Sequence, residues 1–121
     1  MPLPESRKRE TRVAFLESLL GAMGYSVAII FRGGWIDGII TGRPMDAGEL
    51  EKWLEGSVYF KEINGIAIGS GMAQVLGPKA LKDVEQWALG KKKARTPLGR
   101  RNARQASVIV DGLRGAIQGK S

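Results

Sequence analysis

Residues 25–41 read YSVAIIFRGGWIDGIIT, and this stretch decides the fold that the sequence predicts. In residues 25–32 a large apolar side chain occupies every second position, which is the two-residue period of a strand. Gly33 and Gly34 then supply the positive φ angles of a tight turn, and residues 35–41 return as a second strand. The stretch therefore predicts a β-hairpin whose first strand is well buried.

A second hairpin is predicted further along the chain. Residues 57–63 and 66–68 are rich in apolar and aromatic side chains, and Asn64-Gly65 between them favours a two-residue turn. Two hairpins predict a four-stranded, mainly antiparallel sheet.

Helical patterns surround these strands. Pro4 suits a first helical position, and Asp46 with Glu49 three residues later resembles a capping box. The predicted helices cover residues 4–23, 46–55 and 78–89, while residues 72–76 stay unassigned. With these helices on one face of the sheet, the chain is predicted to be an α+β protein.

Length and composition narrow the class of protein. A chain of 121 residues fits one domain, and the 43% apolar fraction indicates a folded core. The chain has no cysteine and no histidine, which removes thiol nucleophiles, disulfides and the commonest general base. Neither a secretory signal nor an apolar run of about 18 residues is present, so we expect no membrane partner and a cytoplasmic location.

Charge divides the chain into two parts. Residues 1–90 hold ten cations and eleven anions, whereas residues 91–121 hold nine cations and one anion. We therefore predict a compact domain over 1–90 and a basic C-terminal extension over 91–121, helical from about residue 97. That helix contains four glycines, so we expect it to need a partner surface: the body of the protein, a neighbouring subunit or nucleic acid.

A concentration of cations without acids between them is typical of a surface that contacts phosphates. The extension is therefore predicted to bind nucleic acid, DNA or RNA, with little sequence preference because it lacks aromatic side chains. A second basic cluster near the N-terminus is partly offset by Glu5 and Glu10. The predicted contact residues are Lys91, Lys92, Lys93, Arg95, Arg100, Arg101 and Arg104, with Arg7, Lys8, Arg9 and Arg12 as the weaker cluster.

Two functional classes stay open at this point. The first is a small, non-enzymatic nucleic-acid-binding protein that forms a homo-oligomer. The alternative is a structural component of a virion or another large assembly, in which basic tails contact neighbouring subunits or an enclosed genome. Neither class implies a cofactor, a metal ion or a small-molecule substrate.

Three further candidates are weaker. The Gly69-Ser70-Gly71 turn could cradle a phosphate, but the third glycine of a dinucleotide-binding motif is missing. The carboxylates of the first half, Asp37 and Asp46 among them, could serve a small enzyme or nuclease, although helix capping explains Asp46 and Glu49. Trp35 follows the first turn and could present an aromatic ring to a base or a partner protein; we expect it to pack in the core instead.

Overall fold

The structure, a computed structural model, describes residues 11–119 and contains a five-stranded mixed sheet with three helices. Its strands are β1 (Arg12–Ser18), β2 (Ser26–Arg32), β3 (Trp35–Gly42), β4 (Gly65–Ile68) and β5 (Ala94–Arg95). The helices are α1 (Ala47–Glu55), α2 (Ser70–Gly90) and α3 (Arg100–Ile117), with a 3₁₀ turn over Phe60–Glu62. The strand order is β3-β2-β1-β4-β5. β1, β2 and β3 are antiparallel neighbours, whereas β4 runs parallel to β1 and β5 runs parallel to β4.

The first hairpin is confirmed. β2 pairs with β3 from Ser26 opposite Gly42 to Arg32 opposite Trp35, around the Gly33-Gly34 turn. Of the two turn glycines, Gly33 has the positive φ, at 59°. The register shifts between Ile30 and Phe31, which forms a bulge in this pair of strands.

The helix predicted over residues 4–23 is wrong in its described part, because Arg12–Ser18 is the central strand β1. Ala14 and Leu16 are completely buried under one layer of helices, and Phe15 packs on the opposite face. A strand covered on both faces has a continuous apolar run without alternation, and in that case helical spacing is matched by chance. Residues 4–10 lie outside the described part of the chain.

The second hairpin is also wrong. Residues 57–63 form turns and the 3₁₀ segment, and β4 pairs in parallel with β1 from Val13 opposite Gly65 to Leu16 opposite Ile68. Asn64 makes this join: its backbone N–H donates to the Arg12 carbonyl at 2.8 Å, and its side-chain Oδ1 accepts from the Arg12 N–H at 3.1 Å. β5 then extends the sheet within the predicted basic extension, residues 91–121. The broad α+β class is therefore correct, but the number and pairing of the strands differ.

Helices cover both faces of the sheet, not one. The first apolar cluster joins α1 and α2 to the sheet, and the second joins α3 to the opposite face. β2 contributes to both, because Ala28 and Ile30 point to the first cluster while Val27, Ile29 and Phe31 point to the second. The buried helical members are Leu50, Leu54, Met72, Val84 and Ala88 in the first cluster, and Ala106 and Val110 in the second.

The ends of the helices follow from local chemistry. Asp46 is the N-cap of α1, as predicted, and its Oδ1 accepts from the Glu49 N–H at 2.8 Å. α2 includes residues 72–76 and is interrupted at Gly77, whose φ is 82°. α3 begins at Arg100 and not at residue 97, since the backbone N–H of Thr96 bonds to the Ile66 carbonyl at 3.0 Å and continues the β4–β5 ladder.

Candidate nucleic-acid interface

Segments distant in sequence meet at one end of the sheet, which we call the turn end. Here the Gly33-Gly34 turn joins β2 to β3, and β1, β4 and β5 all begin. The Gly33 N–H donates to the carbonyl of Thr11 at 3.1 Å, and the Ala94 N–H donates to the carbonyl of Asn64 at 3.0 Å. The turn end therefore combines residues from the first, middle and last thirds of the chain.

α3 begins against the same turn. The side-chain amide of Asn102 donates to the Gly33 carbonyl at 2.9 Å. The guanidinium carbon of Arg101 lies 3.7 Å from the point that a β-carbon on Gly34 would occupy. Buried Ala106, one turn further on, holds the helix to β2. These contacts fix the arginine-rich first turns of α3 to the tip of the first hairpin.

The predicted phosphate-contact residues differ in their surroundings. Arg100, Arg101 and Arg104 are exposed on α3, and Lys92 is exposed in the turn after α2. Lys91 and Arg95 are exposed but each pairs with an acid: Lys91 Nζ lies 3.6 Å from Glu55 Oε2, and Arg95 Nη1 lies 2.7 Å from Glu85 Oε2. The first group of four is therefore better placed than the second pair to meet an external anion.

Lys93 is enclosed by the protein. It is 8% exposed, its Nζ donates to the Ile63 carbonyl at 2.8 Å, and the same nitrogen lies 4.6 Å from the centroid of the Phe60 ring. Burial lowers the pKa of this amine. Three consecutive lysines look alike in the sequence. Only the packing of Lys93 against Ile63 and Phe60 shows that it is buried while Lys91 and Lys92 are exposed.

The N-terminal cluster is described in part. Arg7, Lys8 and Arg9 lie outside the described residues. Arg12 begins β1 at the turn end and is engaged by two acids, with its Nε 3.1 Å from Asp37 Oδ2 and 3.6 Å from Glu62 Oε1. Its charge is therefore partly neutralised within the protein.

Trp35 is exposed at the turn end, and the expectation that it packs in the core is wrong. Its exposed fraction is 70%, whereas Trp53 and Trp87 are half-buried. The Nε1–H of Trp87 also donates a hydrogen bond to Glu55 Oε2 at 2.5 Å. Trp35 begins the edge strand β3 directly after the turn and stands opposite Arg32, whose side chain is also exposed. The Gly-Gly turn before it was the signal in the sequence for this position.

The Gly69-Ser70-Gly71 turn does not form an open phosphate cradle. Glu17, at the end of β1, places its carboxylate at the start of α2. There it accepts the backbone N–H of Met72 at 2.5 Å and of Gly71 at 3.3 Å, together with that of Ser18 at 2.8 Å. The donors that a phosphate would need are thus already bonded to an internal anion.

A cleft of about 630 Å³ opens beside α3, above β1 and β4. Its charged lining is mixed, with Glu17 and Asp111 facing Arg95 and Arg114. Arg114 is engaged internally, because its Nη2 donates to the Ser18 carbonyl at 2.8 Å. Within residues 11–119, no three acidic side chains come together as metal ligands would.

The acids considered for catalysis have structural roles. Asp37 lies 3.1 Å from Arg12 and 3.7 Å from Arg32, and Asp46 caps α1. Burial, followed by repulsion from neighbouring carboxylates, raises the pKa of Glu51. Ion pairs and helix capping thus account for the positions of Asp37 and Asp46.

The last observations concern membrane spans and similarity to known proteins. In the part of the chain that is described, no helix is both long enough and apolar enough to cross a bilayer. Comparison with known proteins gives no matching family model, no significantly similar curated protein and no significantly similar solved structure.

Proposed function

We propose that this protein binds nucleic acid, DNA or RNA, through phosphate contacts at the turn end and along the first turns of α3. The observation that carries the proposal is the attachment of α3 to the hairpin, through the Asn102–Gly33 hydrogen bond and the packing of Arg101 on Gly34. It places the arginines at the start of α3 against the tip of the first hairpin. No chemical step is assigned to this surface.

The proposed surface consists of five exposed cations from three segments. A guanidinium offers two parallel donors to a phosphate and binds it more specifically than an ammonium does. Because a folded helix and a tight turn hold the arginines, less side-chain and backbone freedom is lost on binding than in a disordered tail. The five are Lys92, Arg100, Arg101 and Arg104, together with Arg32, whose Nε lies 3.7 Å from Asp37 Oδ1, an acid that lies closer to Arg12.

Salt dependence of binding tests the proposal. Each phosphate contact contributes a slope of about −0.9 to log affinity against log salt, so five contacts predict a slope of about −4 to −5 on duplex DNA. Replacing Arg100, Arg101 and Arg104 with alanine should flatten this slope by about two to three units. Fluorescence anisotropy with labelled 20-base-pair duplexes of two unrelated sequences measures both values, and the two sequences should lose affinity equally.

A matched control separates a defined surface from net charge. Lys52, Lys79 and Lys82 are exposed on α1 and α2, and their replacement with alanine removes the same three charges. This control triple variant should keep most of the slope. Equal losses in the two triple variants, or a slope that survives the arginine replacements, would contradict the proposed surface.

Self-association is the second candidate, in keeping with a component of a larger assembly. β3 is an eight-residue edge strand. On its α3 side Ile36 and Ile39 are 37% and 44% exposed. Exposed, apolar edge strands are templates for pairing with another chain, although the bulge opposite Ile30 limits this. We propose pairing with a second copy through β3.

The molar mass in solution tests this second candidate. Ile39→Lys places a charge on the exposed edge and should convert a dimer or larger assembly to a monomer in sedimentation velocity experiments. Val58→Lys, at another exposed apolar position, is the control. A wild-type protein that is monomeric at high concentration would exclude pairing through β3.

A further inference from the structure

Trp35 is exposed at the start of the edge strand β3. Tryptophan is highly buried on average, and its indole N–H usually finds a partner when it is buried. Yet the Trp35 side chain is 70% exposed and, within residues 11–119, takes part in no ring contact, cation–π contact or hydrogen bond. Most of the surface of Trp35 is therefore accessible to a ligand.

Two arginines lie near Trp35 at the tip of the hairpin. Arg101 of α3 lies against Gly34, the residue before Trp35, and Arg32 stands directly opposite in the β2–β3 ladder. The guanidinium of Arg101 lies over the turn backbone and not over the indole ring. Because cross-strand partners point to the same face of a sheet, the ring lies on the face of Arg32, and Arg101 reaches the turn from the α3 face.

An accessible aromatic ring among cations is the arrangement by which proteins hold single-stranded nucleic acid. Bases stack on the ring while guanidinium groups contact the adjoining phosphates, and every base offers a face, so sequence preference is small. In a duplex the bases are stacked on one another in the helix interior, and their faces are closed to an outside ring. Unpaired bases are therefore the ligand that fits Trp35.

We propose that Trp35 is a stacking platform for an unpaired base and that Arg101 and Arg32 contact the phosphates on either side of it. This inference rests on the proposed nucleic-acid binding and deepens it. It assigns the turn end a preference for single-stranded regions. The remaining arginines of α3 contact backbone in either kind of ligand.

Three labelled probes of equal length test the platform: a 15-nucleotide oligothymidylate, a 15-base-pair duplex, and a 15-unit strand that is abasic throughout. Trp35→Ala should weaken binding of the oligothymidylate about 5- to 150-fold, the range expected for one stacked base. Binding of the duplex and of the abasic strand should change by less than about 2-fold. Trp35→Phe should retain most of the affinity, because a phenyl ring still stacks.

A second variant controls for the loss of an exposed apolar side chain. Val58, 87% exposed in the loop after α1, gives Val58→Ala as a control for loss of an exposed apolar side chain. If the wild-type protein binds none of the probes, the proposed function itself fails. If it binds them but Trp35→Ala leaves affinity for the oligothymidylate unchanged, or weakens all three equally, the platform is refuted while phosphate binding stands.

Discussion

Replacing Glu17 with alanine tests the contact that joins the end of β1 to the start of α2. Glu17 is 8% exposed, and its carboxylate accepts three backbone N–H groups, from Ser18, Gly71 and Met72. Two of these donors belong to the first turn of α2, where a negative charge is favoured by the helix dipole. A methyl side chain reaches none of the three, so the variant leaves buried donors without their acceptor.

The magnitude follows from the number and length of the bonds. A hydrogen bond to a charged group contributes about 1.5–3 kcal/mol, and loss of an N-cap costs about 0.5–2 kcal/mol. The two short bonds, from Ser18 and Met72, taken at the lower value give about 3 kcal/mol. The longer bond from Gly71 is only partly buried, so water can replace its acceptor. We expect Glu17→Ala to lower the free energy of unfolding by about 3 kcal/mol and Glu17→Gln by about 1–2 kcal/mol. Typical domains have about 5–15 kcal/mol in total, so the variant should fold.

Urea denaturation followed by circular dichroism measures this loss, and a second substitution isolates its cause. A β-carbon on Gly71 would lie 2.8 Å from Glu17 Oε1, and its nearest neighbours all belong to that carboxylate. Gly71→Ala should therefore destabilise the wild-type protein by about 1–3 kcal/mol but have little effect in the Glu17→Ala background. A loss below about 1 kcal/mol for Glu17→Ala, or additive effects of the two substitutions, would refute the reasoning.

Three further predictions concern stability. Gly112→Ala and Gly115→Ala should each raise the free energy of unfolding by about 0.5–1 kcal/mol in urea titrations, because both glycines are exposed within α3 and a β-carbon would contact nothing within 4 Å. Glu51→Gln should stabilise the protein by up to about 0.5 kcal/mol at pH 7 and by nothing below pH 4.5: its raised pKa means that the wild-type protein loses stability as pH rises and this carboxyl ionises. Lys93 has a lowered pKa, so the wild-type protein should gain stability relative to Lys93→Met as pH rises towards 10.5; urea titrations at pH 8 and pH 10 compare them.

Local chemistry made part of the fold predictable. The first hairpin and the cap of α1 depend on residues close in sequence, and both are present as predicted. β1 could not be assigned in this way, because its apolar run reflects burial on two faces by helices that come later in the chain. The same holds for β4: Asn64-Gly65 is a hairpin signal, yet the parallel pairing with β1 uses Asn64 as a bridge. Long-range pairing, which local patterns do not encode, decides these elements.

The candidate interface was predictable in composition but not in shape. Arg100, Arg101 and Arg104 were identified from charge density alone, and their surface position depends on the inward spacing of Ala106 and Val110. The burial of Lys93 and the exposure of Trp35 both depend on which elements are neighbours in the sheet. Since the topology was mistaken, the sequence could not place the Gly33-Gly34 turn beside the first turn of α3.

α3 covers the face of the sheet opposite to α1 and α2, and this position has a consequence for folding during synthesis. β1, β2 and β3 are joined by short connections, so they can pair early, but Val27, Ile29 and Phe31 then form a bare apolar face. That face closes when Ala106 and Val110 become available. A variant truncated at residue 90 would leave this apolar face exposed to solvent and prone to aggregation. In a binding assay, that aggregation could be mistaken for loss of nucleic-acid binding. The charge of the C-terminal residues is therefore better removed by substitution on the outer side of α3 than by truncation.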